Sequence, residues 1–292
     1  MVKTKAKSKT NKNYKIITDR LISLLERGVK PWIRPWKTNG FGNLIGGNKY
    51  RGCNPLICQM DMMYFNYSSP YFVSFNQARE KGWKIKSGSK ATTLTYAESF
   101  EVETDVGTET RFHTRFYKVF NTDCIDDTES EMKIADLIEE KVTPSNQDLP
   151  IESLEKFCNS WGVDIEHGGD RACYSPSLDR IAMPEFENFS SARAYYSTLL
   201  HELAHSTGHP ERLNRDMTGS FGTTKYAREE LVAELTSAFV ASNLGINEDL
   251  ELENHASYLA SWLKVLKNDD KAFFNALSQA KAASDYLLQK NS

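Results

Sequence analysis

The sequence predicts an α+β protein built from two domains. Its 292 residues suffice for two domains of ordinary size, and 40% hydrophobic residues are typical of a globular chain. Residues 1–125 hold 21 Lys and Arg against 10 Asp and Glu, whereas the remainder holds 15 against 29. Strand alternation marks the basic part and helical spacing dominates the acidic part. We therefore expect an α+β domain with a sheet at 1–125, an acidic linker at 126–148, and a mainly helical domain with a small sheet at 149–292.

A basic tail opens the chain and leads into an amphipathic helix. Lysines recur from Lys3 to Lys12, in a polar stretch that suits either phosphate contact or simple solubility. Apolar residues from Tyr14 to Arg27 follow helical spacing, and Gly28 ends that helix. The start lacks the apolar run of a secretory signal, no stretch is long enough to span a membrane, and five irregularly spaced cysteines favour reduced thiols. We expect a cytoplasmic protein.

Two segments of the basic part combine aromatic rings with cations. Residues 30–37 read Lys-Pro-Trp-Ile-Arg-Pro-Trp-Lys, and residues 49–54 read Lys-Tyr-Arg-Gly-Cys-Asn. Rigid rings among cations are typical of surfaces that bind single strands, because bases stack on rings while cations follow the backbone. The alternative is that Trp32 and Trp36 fill a core, and we expect at least one of them to be buried.

The rest of the basic part predicts a small sheet with helices. Asn54 to Tyr64 and Phe75 to Lys81 are predicted helices, and Tyr71 to Val73 is a predicted strand. Two longer strands, Thr92 to Val102 and Thr110 to Phe120, alternate apolar side chains with polar ones. The candidate nucleic-acid contacts are Trp32, Arg34, Trp36, Tyr50, Arg51, Asn54, Phe75, Lys86, Lys90, Arg111 and Arg115.

The acidic part predicts mostly helices. A helix is possible at 132–140 within the linker; further helices are predicted at 151–161, 190–208, 226–244, 253–267 and 269–290. Short strands are expected at 172–174 and 180–183. Because Pro184 follows the second of these, we expect it to be an edge strand that could hold an extended peptide.

The helix at 190–208 carries the pattern of zinc hydrolases, His201-Glu202-Leu203-Ala204-His205. Positions i and i+4 share one face of a helix, so both histidines can bind one metal ion. Glu202 lies beside that face, where a carboxylate can accept a proton from water that the metal acidifies. Two incidental histidines on a core helix are the plainer alternative, but the helical context and the stop at Gly208 favour the metal.

A third ligand has two candidates. Glu211 stands where some zinc hydrolases place a third histidine after the glycine turn. Glu230 and Glu234 lie one turn apart on the helix at 226–244, on a face with small residues that allows close packing. Glu230 then serves as the third ligand and Glu234 accepts a hydrogen bond from a ligand histidine. A solvated acidic stripe is the remaining alternative.

These residues resemble a known family. His201 to Gly208, then Arg212-Leu213-Asn214-Arg215, then Tyr226 to Glu234, are similar to the ArdC antirestriction proteins of mobile elements, whose members resemble plasmid TraC proteins. The Trp32 to Trp36 and Tyr50-Arg51-Gly52 elements match the amino-terminal domain of that family. The resemblance implies a single-stranded-DNA-binding domain joined to a zincin-like metallopeptidase domain, and a first-acid ligand at Glu230. Position 234 holds Glu where related peptidases hold Asp.

The resemblance implies Zn²⁺ bound by His201, His205 and Glu230, with Glu202 as general base. Its implied partners are single-stranded DNA and a protein substrate, with no membrane. Its implied location is the bacterial cytoplasm, with action in the recipient cell after conjugation as one alternative. The alternative function is a non-enzymatic protector of single strands, or a primase-associated module, whose metal site is vestigial or structural.

Overall fold

The computed structural model describes residues 2–32, 40–104, 107–141, 151–244 and 255–289. Two compact units are present: residues 1–24 with 38–145 form the first, and residues 25–37 with 146–292 form the second. Helices and small sheets occur in both units, so the predicted α+β class is confirmed. No helix within the described residues has the length and apolar character needed to cross a membrane.

The first unit packs short helices against a sheet. A four-stranded sheet has the order β1-β2-β5-β4, and β3 pairs with β6 in a separate two-stranded sheet. Its elements are α1 (Val2–Glu26), β1 (Gly42–Asn43), α2 (Asn54–Phe65), β2 (Tyr71–Val73), α3 (Phe75–Glu80), β3 (Lys84–Ile85), β4 (Thr92–Thr104), β5 (Gly107–Asn121), β6 (Ile125–Asp126) and α4 (Ile134–Glu139).

The long hairpin of β4 and β5 is the frame of this unit. Its antiparallel register runs from Thr92 opposite Val119 to Thr104 opposite Gly107. Leu94 and Val119 are buried at the base of the hairpin, where helices α2 and α3 contact it. The hairpin is anchored at that end, and its outer part carries exposed polar side chains such as Arg115.

Residues 126–141 belong to the first unit, which differs from the predicted linker at 126–148. Helix α4 forms inside that stretch, and its Ile134, Leu137 and Ile138 pack against a core of Val73, Trp83 and neighbours. The acidic composition suggested a solvated connection. The apolar residues on one face of α4 are instead partly buried against that core.

The second unit combines helices with one small sheet. The sheet has the order β7-β9-β8, with β9 parallel to β7 and antiparallel to β8. Its elements are α5 (Ile151–Asn159), β7 (Asp164–His167), β8 (Cys173–Ser175), β9 (Arg180–Met183), α6 (Ala192–Ser206), α7 (Thr224–Asn243), α8 (His255–Asn268) and α9 (Ala272–Gln289), preceded by residues 25–32.

The strand Arg180–Met183 is central and not an edge strand, so that prediction is wrong. Pro184 follows β9 directly and donates nothing, but it lies beyond the paired residues and leaves both ladders intact. Ile181 and Met183 are fully buried beneath helix α6. The edge strand that lies against α6 is β8.

Helix α6 is held rigidly at both ends. Ser191 caps its first turn by accepting a hydrogen bond from the Ala194 N–H at 3.0 Å. Beyond its last turn, a Cβ on Gly208 would lie 2.6 Å from the Met217 sulfur and 3.1 Å from the Arg215 guanidinium carbon. A side chain at Gly208 would displace both residues, so glycine lets the returning chain pack closely against the end of α6.

Candidate functional sites

Helix α6 brings its two histidines together on one face. The Nε2 atoms of His201 and His205 lie 3.1 Å apart, and the rings meet edge to face with centroids 4.8 Å apart. Both rings are largely buried, because α6 packs between the sheet and α7. Two imidazole nitrogens thus converge in a place from which water is mostly excluded.

Helix α7 adds a carboxylate to this pair. Glu230 Oε2 lies 3.4 Å from His201 Nε2, and Glu230 Oε1 lies 3.5 Å from His205 Nε2. The ligand atoms of the three residues lie within 4.8 Å of one another, and no other such trio of His, Cys, Asp or Glu occurs in the parts of the chain described. The competing candidate, Glu211, is exposed and lies outside this trio.

The trio has electrostatics that suit a bound cation. Burial lowers the pKa of His205, but Glu230 and Glu229 outweigh it and raise the pKa well above its usual value. Burial raises the pKa of Glu230, yet His205 and His201 outweigh that cost and hold it far below its usual value. Protons and carboxylates neutralise each other here. A bound cation would take the place of the protons, so the donor set fits a metal ion.

His205 is backed by a carboxylate that the sequence did not identify. Glu229 Oε1 lies 3.2 Å from His205 Nδ1, and the Arg215 guanidinium donates to both oxygens of this carboxylate at 2.6 and 3.0 Å. The sequence offers a weak signal, since Glu229 sits beside the predicted ligand and Arg215 follows the glycine turn. Only the packing of α6 on α7 joins them.

His201 faces Glu234, the acid predicted to accept a hydrogen bond from a ligand histidine, but the structure shows no hydrogen bond between them. Glu234 Oε2 lies 3.8 Å from His201 Nδ1, which is longer than a hydrogen bond. The other oxygen, Oε1, accepts hydrogen bonds from Trp32 Nε1 at 3.0 Å and from Lys30 Nζ at 3.4 Å. Burial lowers the pKa of Lys30, and the neighbouring carboxylate partly offsets the effect.

Trp32 was predicted as a nucleic-acid contact, and the structure corrects that assignment. Its side chain is only 6% exposed and packs edge-on against Trp262, with ring centroids 5.6 Å apart. The ring cannot stack on a base because the second unit encloses it. The expectation that one of the two tryptophans is buried is met by Trp32; Trp36 and Arg34 lie outside the described residues.

Glu202 is held by the edge strand of the small sheet. Its Oε2 accepts a hydrogen bond from the Tyr174 backbone N–H at 2.7 Å, and the residue is 7% exposed. This contact fixes the carboxylate beside the histidines and occupies one oxygen with a donor. Its other oxygen has no hydrogen-bond partner recorded among the described residues, and it can accept a proton.

An aromatic wall borders the trio, and the sequence analysis did not identify it. Tyr226 and Tyr258 place their hydroxyls 3.3 Å apart. Burial, with Tyr258 and Glu230 nearby, raises the pKa of Tyr226. Phe221 is 75% exposed and packs against both tyrosines, with centroids 5.5 and 6.5 Å away. Burial raises the pKa of both tyrosines, so their hydroxyls remain protonated donors. The wall offers polar O–H groups near Glu230 and an exposed apolar ring packed against them.

The first unit contains a separate cleft of about 840 Å³, in the range of ligand pockets. Exposed Lys49 and Arg51 lie on its rim, and Tyr96, 48% exposed, leans on Tyr117 with ring centroids 6.0 Å apart. Side-chain amides of Asn43 and Gln77 supply donors and acceptors in the same wall. Cations, rings and amides are thus combined in one cleft.

The predicted nucleic-acid residues divide among several places. Tyr50 and Arg51 line the cleft, while Phe75 is 56% exposed. Lys86, Lys90 and Arg115 are exposed; Arg111 lies on β5, but its side chain is outside the description.

Asn54 requires a correction, because it lies at the base of the cleft and its side chain is structural. Its amide accepts from the Thr95 N–H at 2.9 Å and donates to the Thr95 carbonyl at 2.8 Å, and only 8% of it is exposed. These bonds tie helix α2 to strand β4. The sequence could not distinguish this role, since a buried tie and a base contact both use an amide.

Comparisons with protein families match both parts of the chain. Residues 11–122 match the model described as the N-terminal domain of anti-restriction factor ArdC. Residues 152–279 match the model described as zincin-like metallopeptidase.

Relatives match over nearly the full length. An uncharacterized protein y4eC of Sinorhizobium fredii is 32% identical over 289 residues, covering 94% of this chain and 91% of that protein. A DNA primase TraC of Escherichia coli is 33% identical over 93% of this chain, which spans only 26% of the primase.

Crystal structures of the antirestriction ArdC protein from plasmid R388 are similar too. The metal-free form, at 32% identity, has a TM-score of 0.71 and covers 95% of this chain and 97% of that one. The Mn(II)-bound form, also 32% identical, has a TM-score of 0.73 and covers 96% and 98%.

We expect Glu230→Ala to abolish tight metal binding, because two protein ligands rarely hold an ion. Glu211→Ala is the matched control, because it removes an exposed acid that lies outside the trio. This variant should bind the metal as tightly as wild type does. Metal content of the purified proteins after dialysis measures both. Loss of the ion from Glu211→Ala with retention in Glu230→Ala would make the glycine-turn acid the ligand.

Proposed function

Because this chain belongs to the ArdC family of antirestriction proteins and carries a zincin-like metallopeptidase domain, we propose that it is a metal-dependent peptidase joined to a single-stranded-DNA-binding unit. In this proposal it protects the incoming DNA of a mobile element from restriction. The observation that carries the peptidase part is Glu202, a buried carboxylate held beside the His201, His205 and Glu230 trio. A structural metal site needs no such base.

Zinc is the ion that we propose for this centre. Two imidazole nitrogens and one carboxylate are the protein ligands of many catalytic zinc sites, which keep one position open. The plasmid R388 relative has been crystallised with Mn(II), so manganese is the competing ion. Nitrogen-rich sites favour zinc over manganese in intrinsic affinity, and this supports zinc here.

The residues around the trio have distinct proposed roles. A metal ion bound there supplies Lewis-acid polarisation of a carbonyl and acidification of water. Glu202 accepts the proton through the oxygen that Tyr174 does not occupy and can return it to the leaving amine. The hydroxyls of Tyr226 and Tyr258 lie beside the ligand Glu230 and can donate to a carbonyl oxygen that gains charge. Phe221 offers an apolar surface to a side chain of the peptide.

The first-unit cleft supports the nucleic-acid part of the proposal. Lys49 and Arg51 attract phosphates, and the exposed Tyr96 ring offers a face on which a base can stack. The net charge of +11 over residues 1–125 acts in the same direction. An open cleft with a single exposed ring suits an unpaired strand, because a duplex keeps its bases stacked on each other.

A non-enzymatic protector is the alternative function. It is favoured by one observation: the cleft is formed entirely by first-unit residues, so strand binding there needs no metal. In that case coating of the incoming strand gives the protection, and the metal site is vestigial or structural. A primase-associated role belongs to the same alternative, since the chain matches a quarter of TraC.

We expect Glu202→Gln to keep its metal and lose proteolysis, because Gln has the shape of Glu and accepts no proton. Wild type, this variant and Glu211→Gln as the matched exposed control are compared for zinc content and for cleavage of proteins in restriction-proficient recipient cells. Conjugative transfer efficiency reports protection. Full protection by Glu202→Gln would leave the non-enzymatic alternative.

We expect the protein to bind single-stranded DNA in preference to duplex, with affinity falling in salt at a slope of about −0.7 per phosphate neutralised. Tyr96→Ala should weaken binding with the slope unchanged, because stacking contributes about 1–3 kcal/mol per base. Arg51→Ala should lower the slope, and Tyr64→Ala, an exposed tyrosine outside the cleft, should change neither. Binding isotherms at several salt concentrations give both quantities. Equal or tighter binding to duplex, with Tyr96→Ala unchanged, would mean a general polyanion surface.

A further inference from the structure

Each histidine of the metal centre is paired with a carboxylate, and each carboxylate is held by a cation. On the His205 side, the cation is Arg215, which donates to both oxygens of Glu229 at 2.6 and 3.0 Å. These residues all follow the motif within the second unit, at separations of 24 positions or fewer. The ring of His205 is therefore oriented by groups that are local in the chain.

On the His201 side, the corresponding groups come from the other end of the chain. Lys30 and Trp32 donate to Glu234 Oε1 at 3.4 and 3.0 Å across sequence separations of 204 and 202 residues. All three residues are less than 10% exposed. The opposite oxygen of Glu234 points toward His201 Nδ1, 3.8 Å away, and that nitrogen is buried with no hydrogen-bond partner in the described structure.

A buried imidazole nitrogen without a partner is costly, and a metal-ligating histidine almost always donates its second N–H to an acceptor. Glu234 Oε2, 3.8 Å away, is the acceptor that faces this nitrogen. We propose that Lys30 and Trp32 are positioning residues of the metal centre: they orient the Glu234 carboxylate to accept the His201 Nδ1–H, which turns Nε2 toward the ion. This inference rests on the metal centre of the proposed function.

Lys30 and Trp32 both donate to the same oxygen of Glu234, and these two hydrogen bonds fix the orientation of the carboxylate. The indole and the ammonium both bind Oε1, and Oε2 is the oxygen that faces the imidazole. An acceptor so fixed selects the His201 tautomer that carries its proton on Nδ1, and that tautomer leaves the Nε2 lone pair for an ion. Lys30 also supplies the positive charge that a buried carboxylate needs.

The assignment predicts a role for a segment outside the metallopeptidase match. Residues 25–37 cluster with the second unit, although they precede the whole first unit in sequence, and the match to the zincin-like model begins at residue 152. A centre made from the carboxy-terminal residues alone would keep the hydrogen bonds from Arg215 to Glu229. It would lack those from Lys30 and Trp32 to Glu234.

The chain offers a matched control for Trp32. Trp262 is 1% exposed, packs edge-on against Trp32, and its Nε1 has no hydrogen-bond partner among the described residues. Phenylalanine at either position keeps a buried aromatic ring and removes one indole N–H. Trp32→Phe removes an N–H that donates to Glu234, whereas Trp262→Phe removes one that donates to no described residue.

The test measures the zinc dissociation constant of the full-length protein by competition with a chromophoric chelator. Trp32→Phe and Lys30→Met should each weaken Zn²⁺ binding by about tenfold, and Glu234→Gln by about 10- to 100-fold. Trp262→Phe should bind as wild type does. The visible spectrum of the Co²⁺ form should change in Trp32→Phe and not in Trp262→Phe, because it reports ligand geometry and not overall stability.

A double variant separates positioning from packing. If Trp32 acts through Glu234, adding Trp32→Phe to Glu234→Gln should weaken zinc binding no further. An equal loss in both backgrounds, or equal effects of Trp32→Phe and Trp262→Phe, would overturn the inference while leaving the metal centre intact. Absence of zinc binding in wild type would overturn the proposed metal centre and this inference together.

Discussion

The packing of helix α7 against helix α6 is the constraint on which the proposed metal centre depends. It buries Glu229, Glu230 and Glu234 to between 3 and 8% exposure on one helix, an arrangement that is unfavourable for unpaired acids. Two histidines of α6 and three donors, Arg215, Lys30 and Trp32, offset that cost. The buried glutamates of α7 therefore require these histidines and donors beside them. Removing any one of these groups leaves a buried charge or donor unmatched.

In this arrangement four glutamates have different surroundings. Glu230 faces the Nε2 atoms of the histidines, and Glu229 and Glu234 face their Nδ1 atoms. Glu202 accepts a hydrogen bond from the backbone N–H of Tyr174 on the edge strand. In the proposed function, identical side-chain chemistry thus supplies a ligand, two orienting acceptors and a proton acceptor according to position. The nucleic-acid cleft uses none of these groups, and the two candidate activities have separate chemical requirements.

Whether a residue of the site could be predicted from the sequence depends on how far apart in the chain the interacting residues lie. The histidine pair, Glu202 and Glu230 could be inferred because helical periodicity places residues four apart on one face. Glu229 was missed, since its role depends on which way α7 rotates against α6. Lys30 and Trp32 could not be linked to Glu234 from sequence, because about 200 positions separate them and the same rings and cations also suit single strands. Likewise, Asn54 and helix α4 have polar or acidic sequences whose burial is decided by neighbouring elements.

X-ray absorption spectroscopy at the zinc edge of the metal-loaded, full-length protein tests the central claim most directly. The account predicts a first shell of light atoms at about 2.0 Å with the multiple-scattering pattern of two imidazoles, together with oxygen from Glu230 and from water. Sulfur at about 2.3 Å would instead bring in a thiol such as the exposed Cys173. A third imidazole, or any sulfur, would contradict the ligand set.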